Sequence, residues 1–188
     1  MKSRIALSAL IIGMLSMATT LHAQSKYFDK NADIVFLSST PLEDIEGKNA
    51  SAVMVTDIAS GAVEVSALVK AFSFEKALLE EHFNENYMES EKFPKATFKG
   101  KIKNISDVKW TADGSYKIDI AGTLTIHGVA REITTPGTIR VKAGAIQALT
   151  SFIVKPEDYN IEIPGMVKDK IAKEIEVKVD ASLQPYLN

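Results

Sequence analysis

Alternation of apolar and polar residues with a period of two is the strongest pattern in the chain. In Tyr116–Gly128 the even positions are Tyr116, Ile118, Ile120, Gly122, Leu124, Ile126 and Gly128, against Lys117, Asp119, Ala121, Thr123, Thr125 and His127. In Ala96–Asn104, Ala96, Phe98, Gly100 and Ile102 alternate with Thr97, Lys99, Lys101 and Lys103. In Lys173–Leu183, Ile175, Val177, Val179, Ala181 and Leu183 alternate with Glu174, Glu176, Lys178, Asp180 and Ser182. Such a pattern puts one face of a strand on a core and the other in water. Antiparallel sheet is the arrangement that tolerates one wet face.

Five further segments are rich enough in β-branched and aromatic residues to predict strands: Asp33–Ser38, Ala52–Asp57, Ala62–Phe72, Arg131–Lys142 and Ala145–Lys155. Turn signals separate them at Ser60-Gly61, Asp113-Gly114, Ala143-Gly144 and Pro164-Gly165,. One helix interrupts the strands. Ser73 is placed to cap it, Glu75 falls in its first turn, and the run extends to about Asn86,. Leu79, Phe83 and Tyr87 make an apolar stripe on it, with Phe74 and Leu78 alongside,. The stripe predicts packing against the sheet; a lid or plug is the other role open to the helix.

About eight antiparallel strands can hide their apolar face in a sandwich or by closing on themselves. Closure at about eight strands leaves an interior that side chains fill, or that admits one slender ligand. Parity then names the inward set: Phe98, Ile102, Ile118, Ile120, Leu124, Ile126, Ile133, Ile139, Phe152, Ile175, Val177 and Val179. None is charged. Gly100, Gly122, Gly128 and Gly137 share the inward parity. They either coil the strands for closure or leave a bore, and the two roles are compatible.

Composition narrows the class. The chain has 188 residues, 46% hydrophobic and 24% charged, enough for one domain with a real core,. Its formal charge of −2 excludes an overall basic footprint for nucleic acid,. It has no cysteine, which removes disulfides, thiol catalysis and cysteine-based metal sites, and only three histidines,. The start reads as a signal peptide over residues 1–23: Lys2 and Arg4 form a basic end, Ile5 to Leu21 an apolar stretch, and Leu21-His22-Ala23 a small-residue cut,. A single domain over residues 24–188 would follow, periplasmic or secreted. Loss of Lys2 and Arg4 would take the charge from −2 to −4.

No G-x-S-x-G, P-loop, G-x-G-x-x-G or H-E-x-x-H pattern occurs, so enzyme activity has no constellation to rest on,. His82 and Glu85 form an i, i+3 pair that could ligate a metal, but a lone histidine among helix carboxylates is more often solvated. His127 falls on the outward face of its strand. Lys99, Lys101 and Lys103, with Lys109 near, make an exposed row that discourages edge pairing; transient membrane contact is its functional alternative. No cofactor or metal is expected, and the oligomeric state stays open.

Two stretches resemble a known family. His82-Phe83-Asn84-Glu85-Asn86-Tyr87-Met88-Glu89-Ser90-Glu91-Lys92-Phe93-Pro94-Lys95-Ala96-Thr97-Phe98 looks like the helix-to-strand segment of YceI-like proteins, with an aromatic-Pro pair leading into Thr-Phe. Gly122-Thr123-Leu124-Thr125-Ile126-His127-Gly128-Val129-Ala130-Arg131 is similar to that family's strand-turn-strand, with Ala130 where Thr is usual. Asp158–Pro164 lacks the Phe-Gly-rich end of many members. The resemblance implies an all-β fold, an extended antiparallel eight-stranded lipocalin-like barrel with one helix inserted. It also implies a polyisoprenoid or other long-chain lipid held in an apolar tunnel, for storage or transport.

An uncharged lining suits a hydrocarbon chain as a class, each buried CH₂ being worth roughly 0.8 kcal/mol relative to water. The residues expected to hold the ligand are Phe72, Phe98, Ile102, Ile118, Ile120, Leu124, Ile126, Ile133 and Phe152. Arg131 is expected at the head group, because it shares parity with Ile133 at a strand end and suits bidentate phosphate pairing; outward snorkelling is the alternative. The competing reading is a solid-cored secreted β-domain acting through its surface. Filled against hollow separates the two.

Overall fold

The computed structural model describes residues 25–186; the expected signal peptide lies outside the described residues. The strands are β1 (Lys26–Ser39), β2 (Asp44–Asp57), β3 (Ala62–Leu68), β4 (Lys95–Ile102), β5 (Gly114–Ile126), β6 (Val129–Lys142), β7 (Ala145–Val154) and β8 (Ile175–Pro185). Each pairs antiparallel with its sequence neighbour, and β8 closes on β1 through pairs such as Phe36↔Val177 and Ile34↔Val179. The described residues form a closed eight-stranded antiparallel barrel with a single short α-helix, α1 (Ala77–His82), between β3 and β4. Closure satisfies the backbone groups that an open sheet would leave at its edges.

Strands β1 and β2 are longer than the pattern predicts. Both run 14 residues, starting at Lys26 and Asp44 instead of Asp33 and Ala52. The reason lies in β2, where the buried positions include Gly47, Asn49 and Thr56 while Val53 and Val55 face out. Asn49 is kept inside because its amide donates to the Leu68 carbonyl at 3.0 Å and its side-chain oxygen accepts from the Ser51 N–H at 2.9 Å. A register irregularity in β1 between Asp29 and Ile34 lets the ladder continue past the polar stretch,.

The helix also departs from expectation. Ser73 does not cap it. Its N–H and carbonyl pair with Lys48 at 2.8 and 3.0 Å, extending the β2 edge by one bridge. With Ser73 spent on the sheet, α1 starts after Lys76 and continues as one wider π-type turn over Phe83–Tyr87.

One end of the barrel is packed solid. Ala32, Ala52 and Ala181 are fully buried, and Ile102, Ile118, Ile139, Val141, Ile146 and Leu183 fill the space between them. Val108 and Trp110 from the β4–β5 connection pack against this end, with Trp110 stacked on Tyr27 at 6.5 Å between ring centroids. The glycine pair Gly100↔Gly122 sits above it in adjacent strands. A Cβ on Gly122 would strike the Gly100 Cα and the Lys99 carbonyl, and one on Gly100 would strike the Phe98 ring. These glycines therefore serve close strand approach; the space they free is taken up by neighbours and is not a bore. Ile139→Ala, at the centre of the packed end, should lower stability by about 2–5 kcal/mol, read as a shift of the urea midpoint at unchanged slope.

Candidate functional site

The other end of the barrel is hollow. A cavity of about 530 Å³ opens between the C-terminal halves of β1, β5 and β7 and the N-terminal halves of β4, β6 and β8, and along β2 and β3 it reaches down to Met54 and Val63. Phe98, Ile120, Leu124, Ile126, Ile133 and Phe152 line it, as do Ile175, Val177 and Val179. Phe72 lines it from the turn after β3. Ile102, Ile118 and Ile139 share their parity but lie deeper, in the solid end, and touch no part of the cavity. Alternation says which face of a strand looks inward; it does not say at what depth packing stops.

Arg131 is not on the cavity wall. It is exposed, and its Nε–H donates to the Asp158 carbonyl at 2.9 Å, tying the start of β6 to the β7–β8 connection. This is the outward alternative raised for it above.

Phe36 and the wall residues of the β7–β8 connection had no clear signal. Phe36, Phe72, Phe74 and Phe83 form one aromatic cluster, with centroids 5.0–5.7 Å apart in every contacting pair. Phe36 was hidden because Ile34-Val35-Phe36-Leu37 is apolar on both faces. The cluster fastens α1 over the barrel, so the stripe of Leu79, Phe83 and Tyr87 faces the cavity and packs on no flat sheet. The β7–β8 connection contributes Ile161, Ile163, Val167 and Ile171. Their spacings of two and four in a Lys- and Asp-rich stretch were the available clue.

Polarity is sorted by depth. Among the described residues, the charged and imidazole groups on the wall are Glu43, Lys76, His82 and Lys170, and each comes from a connecting segment or α1 instead of a strand. Lys76 Nζ lies 3.1 Å from Glu43 Oε1, bridging the β1–β2 turn to the start of α1. The hydroxyls of Ser38, Thr135 and Thr150 on the wall are already used, Thr135 donating to the Ser151 carbonyl at 3.1 Å. Ser38 Oγ accepts the Ala172 N–H at 2.9 Å, and Thr150 donates to the Pro136 carbonyl at 2.7 Å. Burial pushes the Tyr87 phenol above its ordinary pKa, which keeps it a neutral hydroxyl at the wall,.

His127 does not lie on a strand face. It opens the β5–β6 turn with φ 51°, followed by Gly128 at φ 74°, a pairing suited to a two-residue hairpin,. Its ring packs edge-on against Phe93 at 4.4 Å. Nε2 is 2.8 Å from Glu89 Oε2 and Nδ1 is 3.1 Å from the Tyr159 carbonyl. Both partners are acceptors, so the two contacts coexist when both ring nitrogens carry hydrogen or when Glu89 is protonated. The histidine thus joins the segment after α1, the β5–β6 turn and the β7–β8 connection. Among the described residues no group of three or more His, Asp or Glu side chains is placed to hold a metal ion.

A barrel plugged at one end, with an apolar cavity at the other and charges confined to its rim, defines a lipocalin-like β-barrel with a deep greasy pocket. The chain belongs to the YceI-like family, whose domain it matches over residues 26–183. Among curated proteins none matches it. Its fold is similar to a polyisoprenoid binding domain from Saccharophagus degradans implicated in plant cell wall breakdown, at 13% identity and TM-score 0.75, covering 87% of this chain and 99% of that one. It is similar to Burkholderia cenocepacia BcnA at 19% identity and TM-score 0.66, covering 81% and 96%. A Campylobacter jejuni YceI protein matches at 17% identity and TM-score 0.54, covering 100% and 94%. At these identities the likeness is one of fold.

His127→Ala should loosen the junction it makes. Amide exchange should quicken in residues 83–93 and 156–163 while the β4–β5 ladder keeps its protection, with a stability loss of about 1–3 kcal/mol from the unpaired partners.

Proposed function

We propose that this protein binds a long-chain lipid, a polyisoprenoid or another single-tailed amphiphile, with its tail in the cavity and its polar end at the rim. The observation that carries the reading is the cavity itself: about 530 Å³, mostly apolar and without charge along its strands, with charged groups only at its mouth. That size falls inside the ~300–1,000 Å³ range of small-molecule sites. If a water's share of liquid, ~30 Å³, stands for one methylene, it accommodates on the order of 15–20 carbons. Burying a five-carbon isoprene unit is worth on the order of 3–4 kcal/mol relative to water. Relative to a bilayer the tail gains little, since lipid is already as apolar as leucine. Polar contacts at the rim are then needed for net transfer, and Lys76, His82 and Lys170 are the groups placed to make them.

The Saccharophagus degradans domain, a polyisoprenoid binder by its description, supports the ligand class by likeness of fold. The leader-like start of the sequence supports an exported protein that stores or carries its ligand outside the cytoplasm. The cavity disfavours the solid-cored alternative.

Organic extraction of the purified protein followed by mass spectrometry should yield a near-stoichiometric amphiphile. Val177→Trp, which puts a large ring into the cavity from β8, should abolish uptake of a fluorescent polyene fatty acid while leaving the fold intact by circular dichroism. Unchanged uptake would refute the cavity as the site. Arg131→Ala should weaken a phosphorylated isoprenoid and its free alcohol equally, whereas Lys170→Ala should weaken the phosphorylated form more; the reverse ranking would put the head group at Arg131.

A further inference from the structure

The most exposed large apolar side chains in the described residues are not scattered over the barrel. Met166 is 96% exposed, Leu42 69% and Leu78 60%. Each comes from a different segment, and all three segments border the cavity mouth. Leu42 precedes the wall residue Glu43 in the β1–β2 turn, Leu78 on α1 is itself on the wall, and Met166 precedes the wall residue Val167 in the β7–β8 connection. The segments are held together: Glu43 pairs with Lys76 at 3.1 Å, and the Ala172 N–H donates to Ser38 Oγ at 2.9 Å. Leaving three such side chains in water around an apolar opening is unfavourable for a protein whose mouth faces only solvent.

Charge near the Met166 tip runs against that of the chain, whereas Leu42 is followed by Glu43 and Asp44 and Leu78 lies between Glu75 and Glu80. The whole sequence is net −2, yet residues 164–173 carry Lys168, Lys170 and Lys173 against Asp169 alone, and the three lysines are exposed. An apolar tip beside lysines, as at Met166, matches the two layers of an anionic membrane surface, acyl chains below and phosphate head groups above,. Continuity with the cavity adds a reason. A tail that leaves a bilayer through a mouth pressed against it never crosses water, so it avoids the loss of roughly a factor of four in equilibrium per exposed methylene.

From these observations we infer that the cavity mouth is a membrane-docking face, with Leu42, Leu78 and Met166 inserting at the interface and Lys168 and Lys173 resting on anionic head groups. The inference deepens the lipid-binding reading and rests on it for the role of the cavity. It places membrane contact at the rim, away from the lysine row Lys99, Lys101 and Lys103 on β4, where Lys99 is in any case 3.6 Å from Glu64.

The test is flotation of the purified protein with phosphatidylcholine vesicles, with and without phosphatidylglycerol. The wild type should float with the anionic vesicles and lose most of that binding at about 1 M salt, where the Debye length has fallen to ~3 Å. The double variant Leu42→Ser/Met166→Ser, which touches no cavity-wall residue, should lose about tenfold or more in vesicle affinity. Lys168→Glu/Lys173→Glu should lose roughly as much on anionic vesicles only. Uptake of a polyene fatty acid added as aqueous monomer should be unchanged in both. Wild-type flotation by the Leu42/Met166 variant, or none by the wild type, overturns the docking face. So does a wild-type dimer that those two substitutions dissolve, which would make the rim an interface between copies. Failure of monomer uptake in the wild type would instead remove the lipid-binding reading, because that measurement involves no membrane.

Discussion

Closing eight strands into a barrel sets the interior volume before any ligand is considered. The chain can fill that volume with its own side chains or leave it for something else, and here it does each at one end. Three fully buried alanines let the β1, β2 and β8 backbones draw in at the packed end, where Ile102, Ile118, Ile139 and Leu183 interdigitate. Toward the other end the inward side chains no longer meet across the axis, and α1 with its aromatic cluster stands over the gap. The packed end supplies the stability that the hollow end forgoes. Wall residues such as Phe152 and Val177 are half-buried, and the contacts they lack are those a hydrocarbon chain would make,.

The two family-like stretches turn out to be one structural unit. Glu89 and Phe93 from the first meet His127 from the second, and the Phe93 ring sits where a Cβ on Gly128 would be. The shared residues therefore hold the segment after α1 against the β5–β6 turn. The same stretches also carry wall residues, Phe83, Tyr87, Phe98, Leu124 and Ile126, so fastening and lining alternate along them. The same fastening reaches Tyr159, so it also sets where the β7–β8 connection crosses the mouth.

How much of this could be read beforehand differed from element to element. Parity placed Ile120, Leu124, Ile126 and Phe152 inward correctly because a strand with one wet face has only two choices. The same rule could not separate Ile118 from Ile120, two residues apart, though one is in the solid end and the other on the cavity wall. β2 was half legible because Asn49 and Thr56 are inside while Val53 and Val55 are outside, which inverts the usual sign of the pattern. Ser73 had the composition of a helix cap, but pairing with Lys48 outweighed it. His127 was misplaced since alternation carried through Thr125-Ile126 gives no notice that the strand ends there.

The sequence by itself determined an all-β chain of about eight strands, the inward faces of most of them, and an interior free of charge, because period two is a local property of the backbone. Only the tertiary structure decided that the interior is full at one end and empty at the other. It alone decided that α1 and the Ile161–Ile171 stretch close over the empty end, and that Arg131 turns away while Lys76 and Lys170 come to the rim. Depth along a barrel axis depends on the shear between strands and on which side chains meet across it, and no single strand carries that information.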